Sequence, residues 1–339
     1  MKRVVVLLVL LFLVAACTTS PAPTTPTPVP PAHVKVSLLP YLTWGPLFIA
    51  EEEGFFAQQN IEVEWVKTTT TEEHIPLLAS GDIDVGAGAV GVGFLNAIAG
   101  GAPIKAVAGK GHLEKGECSS ISVLARRAAY ESGDLTTVAD LQGRPVAISS
   151  VPNLFGYLLD RALGTADLSL DDVEIVKIPI PAKFAAYKQG SIDASIDNEP
   201  IPTRMEAAKL AQRLFALEDV EPGLQYAFIL FGPNLLEKNP DVGERFLVAY
   251  LQGVNRYNEG AASGRNVEIL AEYTGQEAEV LQRVCWPAIF PDAHLDMSGT
   301  MAFQDWAVQR GFIENTIPAE KMYDSTPVEA ALKACSSCG

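Results

Sequence analysis

The chain writes one phrase twice. "LASGDIDVGAGAV" (residues 78–90) and "KQGSIDASIDNEP" (188–200) both run from an apolar segment through Gly into Ile-Asp and on to small residues. Gly81 and Gly190 stand where a helix would end, a place where glycine enters left-handed backbone without a Cβ penalty. The short runs behind them, 83–85 and 192–196, read as brief strands. A helix–turn–strand phrase repeated about a hundred residues apart predicts two similar α/β units.

The flanking sequence supports that division. From His33 onward, apolar runs at 34–39, 61–66 and 104–110 join the strand at 83–85. Helical stretches at 45–59 (interrupted near Gly54), 72–80 and 92–100 lie between them. A second series begins near Leu124, with strands within 141–149 and at 173–179 and 192–196, and helices at 154–166 and 182–189. A strand at 224–232 follows, and the remainder reads as mostly helical. Such alternation gives mainly parallel sheets flanked by helices. With 339 residues, 48% of them hydrophobic, the chain can fill two cores. The units divide near residue 120, and the C-terminal ends of the two sheets would face a shared cleft.

The first residues read as an export signal. Lys2 and Arg3 precede an apolar run over residues 4–14, too short to span a bilayer but right for a signal peptide. It ends in "LVAAC", which resembles a bacterial lipobox, so residues 1–16 are expected to be removed and Cys17 to carry lipid. The Pro/Thr-rich stretch after it favours extended polyproline II and makes 17–33 a spacer. The expected location is therefore extracytoplasmic and membrane-anchored, in the periplasm or at the cell surface.

The formal net charge of −16 opposes nucleic acid and anionic membrane surfaces as partners. Enzyme signatures are missing: GxSxG, GxxxxGK[ST] and HExxH do not occur, and His33, His74, His112 and His294 are scattered. "GAGAVG" (86–91) matches GxGxxG, yet position 106, where an acid should follow, is Ala. Its glycines suit close packing, or approach to a small ligand at a helix N-terminus. No metal or cofactor is expected. Asp197 and Glu199 alone do not specify acid–base chemistry. Cys118, Cys285, Cys335 and Cys338 allow three pairings, and the terminal "CSSC" reads as a structural disulfide or inert thiols.

"WGPLFIAEEEGFFAQQNIEVEWV" (44–66) resembles the opening of solute-binding proteins that serve ABC importers for nitrate, sulfonates, taurine and thiamine-pyrimidine precursors. "LASGDIDVGAG", "DLQGRPVAIS", "YLLDRAL", "LDDVEIV", "QGSIDASIDNEP", "KNPDVGERFLVAYLQGVN" and "WAVQRGFI" match further blocks in order, so the resemblance spans about residues 34–330. It implies a two-lobed type II periplasmic-binding-protein fold whose hinge is crossed twice: lobe 1 over 34–123, lobe 2 over 124–222, and a return to lobe 1 over 223–339. It implies no catalysis, a monomer, a small-molecule solute and an ABC permease as partner. A ligand-sensing receptor subunit is an alternative; a pyrimidine-synthesis-type enzyme, which shares the fold, lacks its Cys-rich motif here.

In that fold the ligand loops would present Tyr41, Thr43, Trp44, Gly45, residues 69–71 including Thr70, Gly88 and Ala89 from the first lobe. The second lobe would offer Ser149, Ser150, Asn153, Asp197, Asn198 and Glu199, with Tyr226 on the returning strand. These loops contain no basic residue, and Lys110 near the hinge is the nearest cation. Aromatic Tyr41 and Trp44 with acceptors Asp197 and Glu199 suit a heteroaromatic or amine-bearing ligand. A sulfonate- or nitrate-type anion is the alternative.

Overall fold

In the computed structural model the described residues are 30–335, apart from 69 and 117, together with 338. The expected signal, Cys17 and most of the spacer lie outside them. Both glycines of the repeated phrase end helices in left-handed backbone, at φ 79° for Gly81 and 72° for Gly190. Helices His74–Ser80 and Ile180–Gln189 stop there, and their last carbonyls accept from the glycine amides. The chain then buries Ile83 or Ile192 and enters strand β3 (Val85–Gly88) or β8 (Ala194–Asn198).

These two strands occupy equivalent central positions. The first sheet has the order β2 (Ile61–Lys67), β1 (Ala32–Leu38), β3, β10 (Gln225–Phe231), β4 (Lys105–His112). The second has the order β7 (Glu174–Lys177), β6 (Pro145–Ile148), β8, β5 (Ile121–Arg126), β9 (Ala211–Ala216). In the first sheet β1 pairs parallel with β2 and β3, while β10 runs antiparallel to β3 and β4. The second repeats the pattern, β6 pairing parallel with β7 and β8, and β5 antiparallel to β8 and β9. The molecule is thus a two-lobed α/β protein with mixed sheets, one strand in each running against the other four, and the chain crosses between lobes from β4 to β5 and from β9 to β10.

Two details depart from the sequence reading. Strand β5 begins at Ile121, so residues 121–123 go with the second sheet, ahead of the boundary placed at 124. The sequence pattern marks no strand at β9, which pairs only with β5 at a sheet edge, so its half-exposed residues show no long apolar run. On the first lobe, helix Gly45–Glu52 packs against helix Pro240–Tyr257 so closely that a Cβ on Gly253 would lie 2.1 Å from the Pro46 carbonyl oxygen. The cysteines pair as Cys118–Cys285 and Cys335–Cys338, one of the three possibilities.

Candidate functional site

After β1 the chain turns through Tyr41 into a short 3-10 turn, Leu42–Trp44, and then into helix Gly45–Glu52, with Pro46 in its first turn. No side chain caps that helix start. Thr43 and Trp44 are buried there, and Lys110, near the end of β4, reaches them with its ammonium. Its Nζ donates to Thr43 Oγ1 at 2.8 Å and sits 3.4 Å from the centre of the Trp44 ring. Lys110 is fully buried, and none of the ion pairs among the described residues involves it. Burial holds its ammonium pKa well below the ordinary lysine range. The same setting pushes His74 down to about 4, by burial first and the Lys110 charge second. A hydroxyl and an aromatic face cannot replace a lost hydration shell, so a protonated Lys110 calls for an anion.

The end of β3 lies level with this group. Phe228 on β10 is paired with Gly88 on one side and Gly109 on the other. Gly88, which ends β3, and Gly109 on β4 are therefore two strand spacings apart, about 10 Å. Gly88 has φ 150°, and a Cβ there would lie 2.3 Å from Thr71 Cγ2, so this glycine is required by packing and backbone alike. Ala89 follows, half-buried, and Gly91 starts helix Val92–Ala99 with no side-chain cap.

The second lobe answers at this point. Gly91 forms an antiparallel bridge with Asn153, which caps helix Leu154–Gly164 by accepting from the Gly156 amide at 3.2 Å. Two helix N-termini, one from each lobe, thus meet where the lobes touch. Their amide ends carry partial positive charge suited to an anion. Ser149 and Ser150, exposed and half-buried, lead into the same helix from the end of β6.

Other expected residues have different work. Gly45 faces packing, since a Cβ there would lie 2.5 Å from the Tyr257 ring. Trp44 is 1% exposed, its Nε1 donating to the Ser37 carbonyl at 3.2 Å and its edge meeting Tyr41 and His74, so it belongs to the lobe core rather than to an open stacking platform. Tyr41 is half-buried at the rim and Thr70 is exposed. Tyr226 is buried at the hinge, its hydroxyl bonded to Ser120.

Asp197 and Glu199, expected as acceptors for a ligand, already have partners within the protein. Asp197 pairs with buried Lys183 at 2.7 Å and accepts from Ser195 Oγ at 2.6 Å. Glu199 pairs with Arg213 and accepts from Thr203 Oγ1 at 2.9 Å. Burial raises the pKa of each carboxyl, and the basic partner opposes that rise. Asn198 between them is half-buried, its amide directed to the Glu199 carbonyl at 3.3 Å. Both carboxylates are thus engaged within their own lobe.

A family model described as NMT1/THI5 like matches residues 43–259. The chain belongs to that family. No curated protein matches it. Among solved structures, the nitrate-binding protein NrtA of Synechocystis PCC 6803 superposes with a TM-score of 0.75 at 14% identity, covering 90% of this chain and 89% of that one. The aliphatic sulphonate binding protein SsuA of Escherichia coli gives 0.70 at 19% identity, with 87% and 92% covered. The desulfurization enzyme DszB gives 0.65 at 15%, with 89% and 99% covered. The family member described here therefore has the type II periplasmic-binding-protein fold, a fold that holds binding proteins and at least one enzyme.

Proposed function

We propose that this NMT1/THI5-like protein is the solute-binding component of an ABC importer and holds a small anion, of the sulfonate or nitrate class, between its lobes. The observation that carries the reading is Lys110, a buried ammonium without a carboxylate partner among the described residues. It is next to Gly109, which is level with the Gly88 end of β3, the strand that leads to the Gly91–Asn153 bridge between two helix N-termini. The names of the structurally similar SsuA and NrtA support the same class. The heteroaromatic or amine alternative loses ground because Asp197 and Glu199 already have partners. We propose no catalytic step: Cys118, Cys285, Cys335 and Cys338 are all in disulfides and offer no thiolate nucleophile. The lipobox-like "LVAAC" and the Pro/Thr spacer support an extracytoplasmic, lipid-anchored protein that delivers its solute to a membrane permease.

Thermal unfolding against nitrate, alkanesulfonates, aminopyrimidines and polyamines tests this. A ligand at a hundred times its dissociation constant stabilises the native state by about 2.7 kcal/mol. The expected result is a raised melting temperature with an oxyanion. Stabilisation by amines or aminopyrimidines, with no response to any oxyanion, would overturn the anion reading.

A further inference from the structure

Helix Ser298–Gln309 belongs by its packing to the first lobe: a Cβ on Gly299 would lie 2.7 Å from Leu224, and Gln304 is fixed to both backbone groups of Ile317. Its outer end nevertheless reaches the second lobe. Trp306 Nε1 donates to Asp160 Oδ2 at 2.7 Å, and Arg310 Nη2 donates to Asp160 Oδ1 at 3.0 Å. Arg310 Nη1 also donates to Asp171 at 2.8 Å. Beneath this polar node, Tyr157 meets Phe303 and Trp306 edge-on, at ring separations of 6.3 and 5.9 Å. All three rings are buried and lie in one apolar cluster that runs through both lobes.

Asp160 and Tyr157 lie on helix Leu154–Gly164, the helix whose N-cap is Asn153. The first lobe therefore grips this one helix twice, at Asn153 through Gly91 and about 10 Å further along through Asp160. A lobe movement that parts Gly91 from Asn153 must either turn the helix about the second contact or break it.

We propose that Asp160, Trp306 and Arg310 form a third joint between the lobes, additional to the two chain crossings, which holds the closed arrangement and positions the Asn153 end of the helix in the cleft. These are positioning residues. None touches Lys110 or the bridge itself, and they act through the helix they hold. Asp160 is suited to the task because it also accepts from the Leu170 amide at 2.8 Å, which ties the joint to the second lobe's own backbone.

Interlobe distance tests the joint without any knowledge of the ligand. Spin labels at Glu64→Cys and Lys188→Cys, exposed positions on opposite lobes, report the distance distribution in the unliganded protein. Trp306→Phe keeps the ring packing and removes the N–H, and Asp160→Asn keeps the shape and removes the charge. Each variant is expected to shift the distribution toward longer distances. Each should also weaken oxyanion binding about tenfold, the loss of one hydrogen bond to a charged group. The binding arm rests on the anion reading above, and the distance arm does not. A shifted distribution in a protein that binds no oxyanion would keep the joint and remove that reading. An unchanged distribution with only a lowered melting temperature would show a merely structural contact and overturn the proposal.

Discussion

Lys110 determines what the candidate site can hold, and it can be tested at the level of one side chain. Methionine is close to lysine in shape and carries no charge, so Lys110→Met removes a buried ammonium while keeping the packing. Thermal denaturation should show the variant at least as stable as the parent, and titration calorimetry should show oxyanion affinity reduced by about tenfold or more. Loss of stability with unchanged affinity would assign Lys110 to structure alone. The pH dependence has a definite sign. The folded protein holds the Lys110 pKa below the unfolded value near 10.5. Between the two values the unfolded chain binds more protons, so this residue makes stability rise with pH across that window. Anion affinity moves the opposite way and should fall as pH climbs through the depressed pKa. Lys110→Met should flatten both profiles. Trp44→Ala is expected to cost about 3–5 kcal/mol in a urea titration, because the ring is core and its loss leaves a cavity.

At the scale of elements, the hinge is organised around Glu218, just beyond β9. It accepts from Ser119 Oγ at 2.6 Å, from the Ser120 amide at 2.7 Å and from Ser120 Oγ at 2.9 Å. One crossing between lobes is thereby clamped to the other. Glu218→Ala leaves the buried Ser120 amide without its acceptor and should lower stability by about 1–3 kcal/mol, measured by denaturant unfolding. Nothing in the sequence marks this residue, since its partners lie about a hundred positions away. The same cause explains which parts of the molecule were legible. Gly81 and Gly190 reveal their helix ends because the constraint is local backbone geometry. The doubled phrase likewise identifies β3 and β8, which turn out to be the central strands of their sheets. The engagement of Asp197 by Lys183 and of Glu199 by Arg213 depends on tertiary placement, so acceptors that looked free are not. Lys110 did leave a trace, as a lysine inside the apolar strand "IKAVAGK", and a charge in such a run is a prompt to ask for its partner.

At the scale of the whole molecule, the disulfide and the proposed export signal bear on one question. Cys118 lies just before β5, at the first crossing, and Cys285 lies on the returning chain, 167 residues away. The bridge thus encloses the entire second lobe and the second crossing in one covalent loop. Closing so long a loop restricts the unfolded chain far more than the folded one, and native disulfides of this kind typically contribute about 2–4 kcal/mol. Such bridges are mostly found in oxidising compartments, the setting proposed above from the lipobox-like N-terminus. The two inferences rest on different residues and can fail separately. The double substitution Cys118→Ser with Cys285→Ser is expected to lower stability by about 2–4 kcal/mol in guanidinium unfolding. Reductant should reproduce that loss in the parent and do nothing further to the double variant at this bridge. If the parent is equally stable with and without reductant, the bridge gives the lobes no support, and the extracytoplasmic placement would rest on the N-terminal signal alone.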